Sequence, residues 1–262
     1  MIKLIASDLD GTLLPEGQAT LDSEIYDVIL ELKEKGIPFI CASGRQLSSL
    51  RNLFGPVADE ISYITENGSL CIYEGQTFVT GGMGMDKDLA IDIINAIEKT
   101  HGSKIIVSCA NTCYVKEGDE TSLSLIRDDM NYDTTTIPFL QDIPDPILKV
   151  AFIDDGDDVA SAKYFGSMFS DKVKVMSVGN SFVDFVPYTA NKALALQFLF
   201  DKFGVKSEEV MAFGDRQNDV EMLSLCGVSY AMEHSTDDVK KFATGTTNSV
   251  AKTLREFLKT LG

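Results

Sequence analysis

Apolar residues fall along this chain in two rhythms, short unbroken runs and helical stripes, and the two alternate. Residues 3–7 form an aliphatic run of the length of a buried strand. Behind it, Asp22-Ser23-Glu24 supplies helix-start chemistry, and Ile25, Val28, Ile29 and Leu32 recur at helical spacing until Gly36. Residues 37–42 read as a second buried strand, a helix follows through Leu50 and Leu53, and 61–65 read as a third strand. The same alternation returns late in the chain: an Ala- and Leu-rich helix over 191–200, strands over 210–213 and Val228–Met232, and a closing helix over 250–261. Strands alternating with helices predict an α/β fold with a parallel sheet and right-handed crossovers.

Between these stretches the rhythm changes. Gly81-Gly82-Met83-Gly84 predicts a linker. Leu89, Ile93, Ile94 and Ile97 then mark a helix stopped by Gly102, strand-like runs follow at 104–108, 113–116, 148–153 and 173–177, and 160–168 suits another helix. Several strands packed with helices over roughly 100 residues make a small α+β domain. The chain is expected to cross back at 182–186, so that residues 1–81 and 187–262 form one domain split by an insertion of 82–186.

Composition narrows the partners. With 262 residues and 44% apolar content the chain can build a substantial core. A formal charge of −17 argues against nucleic acid, whose binders present basic faces. A small phosphorylated ligand remains open, because screening acts over about 8 Å and local cations decide anion binding. No apolar stretch approaches the roughly 20 residues that span a bilayer, and the opening run is too short for a secretory signal. The five cysteines (41, 71, 109, 113, 226) form no CxxC pair and read as reduced thiols, so a cytoplasmic location is expected. With only His101 and His234 to complete a zinc site around Cys109 and Cys113, zinc is not expected, and both histidines read as surface residues.

Four polar clusters each follow a predicted buried strand: Asp8 and Asp10, Ser43-Gly44-Arg45, Glu66-Asn67-Gly68, and Gly214-Asp215-Arg216-Gln217-Asn218-Asp219. Open parallel sheets bind ligands outside the carboxyl ends of their strands. Asp8 and Asp10, at i and i+2, share one side of an extended chain. Two such carboxylates repel unless a cation bridges them or one carries a proton. Ser43 equally suits a helix N-cap and a phosphate cradle, and Arg45 either donates a charged fork or is solvated. Asp215 supplies a third carboxylate at the same edge. One or two carboxylates, a backbone carbonyl and a substrate oxygen satisfy magnesium. Lys192, opening an otherwise apolar helix behind Asn191, is the expected positive partner of a phosphate and a nucleophile.

These blocks, in this order, resemble the haloacid dehalogenase-like hydrolase superfamily, and more closely its Cof-type phosphatases. Asp8-Leu9-Asp10-Gly11-Thr12 is similar to the family's first motif, Ser43-Gly44-Arg45 to its second, Lys192 to its third, and Gly214-Asp215-Arg216-Gln217-Asn218-Asp219 to its fourth. In Ala231-Met232-Glu233-His234-Ser235 a histidine stands where the family commonly has asparagine. The resemblance implies a Rossmann-like parallel-sheet core with an inserted α+β cap domain. It implies that Asp8 is the nucleophile, forming an aspartyl-phosphate, and Asp10 the general acid and base. Magnesium would be held by Asp8, Asp215 and the main-chain carbonyl of Asp10, with Asn218 and Asp219 in support. Gly11, Ser43, Gly44, Arg45, Asn191 and Lys192 would bind the phosphate. The expected activity is hydrolysis of small phosphorylated metabolites, sugar phosphates or related compounds. A phosphomutase of the same superfamily would need a second phosphate grip, yet 82–186 hold one arginine, Arg127. A non-catalytic phosphometabolite-binding protein is the other alternative. The sequence does not specify the oligomeric state.

Overall fold

The computed structural model describes residues 1–79, 84–101, 104–179 and 181–261. Residues 81–83 of the expected linker, and the helix stop at Gly102, lie outside them. The chain divides into two compact units, Met1–Thr80 with Asn191–Gly262, and Gly81–Ala190.

The first unit begins with strand β1 (Leu4–Ser7), helix α1 (Ser23–Glu34), β2 (Phe39–Ala42), α2 (Leu47–Phe54) and β3 (Ser62–Thr65). All twelve residues of these three strands are buried, as expected of strands covered by helices on both faces. Helix α1 starts where Asp22 caps it, its side chain accepting the Glu24 amide at 3.0 Å. Strands β4 (Leu70–Tyr73) and β5 (Gln76–Val79) then add antiparallel to one edge of the sheet. The sequence pattern did not indicate them. Their turn is Glu74-Gly75, both at positive φ (49° and 71°), and glutamate lacks the Asn or Asp that marks such hairpins.

The second unit contains α3 (Lys87–His101), β6 (Ile105–Cys109), β7 (Cys113–Lys116), α4 (Glu120–Ser124), β8 (Thr134–Ile137), β9 (Ile147–Ile153), α5 (Asp158–Phe169), β10 (Val173–Gly179) and β11 (Phe182–Pro187). Its sheet runs β10-β11-β9-β6-β7-β8. Ile93, Ile94 and Ile97 of α3 and Phe165 and Phe169 of α5 pack with Val107, Val150, Phe152 and Phe185 of the sheet in one core. The run at 182–186, read as the crossing back, is instead β11, an interior strand antiparallel to β10 and β9. Strand β8 escaped the sequence reading because its threonines give no apolar signal.

The chain re-enters the first unit with α6 (Lys192–Phe203), β12 (Val210–Gly214), α7 (Val220–Leu225), β13 (Val228–Met232), α8 (Asp237–Lys240), β14 (Gly245–Thr247) and α9 (Val250–Lys259). The completed sheet runs β14-β13-β12-β1-β2-β3-β4-β5, parallel from β14 through β3. Leu4, Ala6, Ile40, Ala42 and Ile64 pack on Ala195, Leu196 and Leu199 of α6 and Met222 and Leu223 of α7. Ser7 pairs with Phe213 on one side and Cys41 on the other, which brings the ends of β1, β12 and β2 level. Among the described residues no helix is long and apolar enough to cross a membrane.

Candidate active site

Directly beyond β1, the Asp8 amide donates to the Phe213 carbonyl at 2.9 Å, tying the two strand ends together. Carboxylate oxygens of Asp8, Asp215 and Asp219 lie within 4.8 Å of one another, all three residues buried. From the first position of α6, Lys192 reaches this cluster. Its Nζ donates to Asp8 Oδ1 at 2.5 Å and to Asp219 Oδ1 at 2.7 Å, and the residue is 2% exposed. Asp219 Oδ2 accepts the amides of Asp215 and Arg216 at 3.0 and 3.1 Å, so this carboxylate is engaged through both oxygens. Asp8 Oδ2 is buried with no hydrogen-bond partner among the described residues.

Burial, together with neighbouring charges, shifts these groups from their ordinary ranges. Burial pushes Asp8 well above the ordinary carboxylate range, Asp219 adds to this, and Lys192 offsets only part of it. Burial also raises Asp215, with Asp219 contributing. For Lys192, burial alone would lower the pKa, but Asp219 and Asp8 outweigh it and raise it, so the side chain stays an ammonium ion. Three carboxylates thus face one buried ammonium.

A divalent cation fits that imbalance. The donors are hard oxygens, the kind magnesium and calcium take, and Asp8 Oδ2 is buried and unsatisfied. The turn that leaves β1 is shaped closely to Asp215. Gly11 has φ +89°, and a Cβ there would lie 2.2 Å from Asp215 Oδ2. Thr12, which carried no role in the sequence reading, donates its hydroxyl to Asp215 Oδ1 at 3.3 Å.

The remaining residues separate into those spent within the protein and those left facing the edge. Asp10 is outside the buried carboxylate cluster. Its carboxylate takes a two-pronged contact from Arg45, Nε at 3.0 Å and Nη2 at 2.6 Å, so Arg45 is held on Asp10. Asn191 caps α6, its Oδ1 accepting the amides of Ala193 and Leu194 at 2.7 and 3.3 Å. Ser43 is buried, and its hydroxyl oxygen accepts the Arg45 amide at 3.1 Å. It is not the N-cap of α2, which starts four residues on behind Gln46. Gly44 faces the Asn67 carboxamide, and Asn218 donates from Nδ2 to Asn67 Oδ1 at 3.4 Å.

His234 is half-exposed yet lies at the cluster, its Nε2 3.4 Å from Asp215 Oδ2. Its exposure is that of the surface residue expected; its place beside Asp215 is what the sequence did not give. The signal that would have found it is its position two residues past β13, which neighbours β12 on the edge where Asp215 stands.

Similarity to known proteins gives the family. A family model for haloacid dehalogenase-like hydrolases matches residues 5–253. The chain is 27% identical over 251 residues to the 5-amino-6-(5-phospho-D-ribitylamino)uracil phosphatase YbjI of Escherichia coli K12, covering 94% of this chain and 92% of that one. It is 27% identical over 229 residues to an HMP-PP phosphatase of Enterobacter sp. strain 638, covering 87% and 82% of the two chains. A solved structure from Eubacterium rectale superposes with a TM-score of 0.86 at 28% identity, covering 98% of this chain and 99% of that one. One from Thermotoga maritima gives 0.84 at 25% identity, covering 98% and 97%.

Proposed function

The chain belongs to the haloacid dehalogenase-like hydrolase family, and from that premise we propose that it is a magnesium-dependent phosphatase of small phosphorylated metabolites, sugar phosphates or related compounds. The observation that carries this reading is Asp8. One of its oxygens is fixed by Lys192 and the other is buried without a partner. A carboxylate held so is oriented but not satisfied.

In this reading one Asp8 oxygen attacks phosphorus, the phosphorus–oxygen bond to the leaving group breaks, and Asp10 gives that oxygen its proton. Asp10, now a carboxylate, takes a proton from water, which attacks the aspartyl-phosphate and releases inorganic phosphate with Asp8 restored. Splitting one difficult displacement into two is the advantage of covalent catalysis. Arg45 orients Asp10 through its two-pronged contact. Lys192 holds Asp8 and lies where charge develops on the transferring oxygens, with Ser43, Gly44 and Gly11 lining the same edge. Asp8, Asp215 and the Asp10 carbonyl would hold magnesium, with Asn218 and Asp219 in support; the ion neutralises the repulsion between carboxylate and phosphate ester when bound.

The relatives' names speak for phosphatase activity on small metabolites. The mutase alternative lacks its second phosphate grip: Arg127, the sole arginine of 82–186, is exposed and forked onto its neighbour Asp128 at 2.8 Å. The inserted unit, read as a cap, and a cytoplasmic setting complete the proposal. The test is turnover of p-nitrophenyl phosphate with magnesium and with a chelator. Wild type should require the metal, and Asp8→Asn should lose on the order of 10³-fold or more in kcat. Near wild-type turnover by Asp8→Asn would overturn the mechanism.

A further inference from the structure

The turn after β3, Glu66-Asn67-Gly68, has no part in the chemistry above, yet it bears the most unusual backbone near the site. Three consecutive residues have positive φ, 48°, 56° and 103°. For glutamate and asparagine such a conformation costs of order 1–3 kcal/mol and persists only where surroundings enforce it. What enforces it is contact with three site-bearing segments at once.

The first is the loop after β2. The Asn67 amide donates to the Ser43 carbonyl at 3.0 Å and the Glu66 amide to the Arg45 carbonyl at 3.3 Å. Gly44 lies flat against the Asn67 side chain, where an added Cβ would stand 3.0 Å from Oδ1 and 3.1 Å from Nδ2. The second is the start of α6. A Cβ on Gly68 would lie 2.4 Å from the Asn191 backbone, so the turn seats directly on the residue preceding Lys192. The third is the turn after β12, through the contact between Asn218 Nδ2 and Asn67 Oδ1.

We infer that Asn67 is a positioning residue for phosphoryl transfer: its strained backbone and its carboxamide together set the Ser43-Gly44 loop against Asn218. Asparagine suits both tasks, since it tolerates the left-handed region better than most residues and offers a planar amide to pack on glycine. The inference rests on the phosphatase reading for its kinetic expression, but the positioning itself has a second readout in the affinity for inorganic phosphate.

Asn67→Gly keeps the backbone conformation without strain and removes the carboxamide, whereas Asn67→Asp keeps the oxygen that accepts from Asn218. Both, with wild type, should be measured for kcat and KM on p-nitrophenyl phosphate, for calorimetric affinity for inorganic phosphate with magnesium, and for thermal midpoint. The expected result is a loss of about 10- to 100-fold in kcat for Asn67→Gly with a midpoint no lower than wild type, partial recovery in Asn67→Asp, and weaker phosphate binding by the glycine variant. Wild-type kcat in Asn67→Gly overturns the inference while leaving the phosphatase reading intact. If wild type binds phosphate but turns nothing over, the phosphatase reading fails and unchanged phosphate affinity in Asn67→Gly overturns the inference separately. Absence of phosphate binding by wild type overturns both.

Discussion

Lys192 joins stability to the proposed chemistry in a single residue. It is the buried cation between Asp8 and Asp219, so Lys192→Met leaves adjacent buried carboxylates uncompensated. Breaking a buried pair from one side typically costs about 3–5 kcal/mol. Urea unfolding should show a loss of that order, with part regained in the Lys192→Met, Asp219→Asn double variant, while activity stays absent in both. Protonation follows the same logic. Burial, then Asp219, raise the Asp8 carboxyl in the folded protein, so without a cation the native state holds that proton more tightly than the unfolded chain does. The stability so gained is complete below the unfolded value of about 3.9 and is lost as pH rises through the raised folded value. Thermal midpoints in chelator should therefore fall with rising pH more steeply for wild type than for Asp8→Asn, and magnesium should restore the wild type at neutral pH. Asp8, Lys192 and Asp215 could be picked out from the sequence because charged residues beside apolar runs stand out. Thr12, His234 and Asn67 could not be given roles, since their significance lies in distances to residues far along the chain.

At the scale of elements, the site is a set of strand ends and the turns that leave them. Gly11 is the tightest of these turns, with φ +89° and Asp215 Oδ2 where a side chain would begin. Gly11→Ala should displace Asp215, cost about 1–3 kcal/mol, and weaken magnesium binding measured by calorimetry, while circular dichroism reports an unchanged fold. Asn191 is tested differently, because its oxygen caps α6. Asn191→Ala should cost about 1 kcal/mol in urea unfolding and lower kcat by loosening the helix start that carries Lys192. Buried strands and amphipathic helices were readable as elements, since burial on both faces imposes continuous apolar runs and burial on one imposes the helical stripe. The β4–β5 hairpin and β8 were not, because an unusual turn residue and a threonine-rich strand leave no such mark.

Over the whole molecule the net charge is −17, and the proposed substrate is itself an anion. Long-range repulsion should slow the approach of a phosphate ester, and screening should relieve it. At saturating magnesium, kcat/KM should rise as ionic strength climbs from about 0.01 M to about 0.15 M, where the screening length falls from about 30 to about 8 Å; a flat or falling profile in stopped-flow or steady-state assays would contradict this. The amino-acid order by itself determined the alternation of strands and helices, the α/β class, and the clustering of polar residues after each buried run. These follow from local periodicity and from the cost of burying charge. Tertiary structure alone decided that 182–187 pair as an interior strand between β10 and β9, that Arg45 is occupied by Asp10, and that one Asp8 oxygen finds no partner among the described residues. Each of those depends on which group, distant along the chain, the folded sheet brings within hydrogen-bonding reach, and local periodicity carries no record of that.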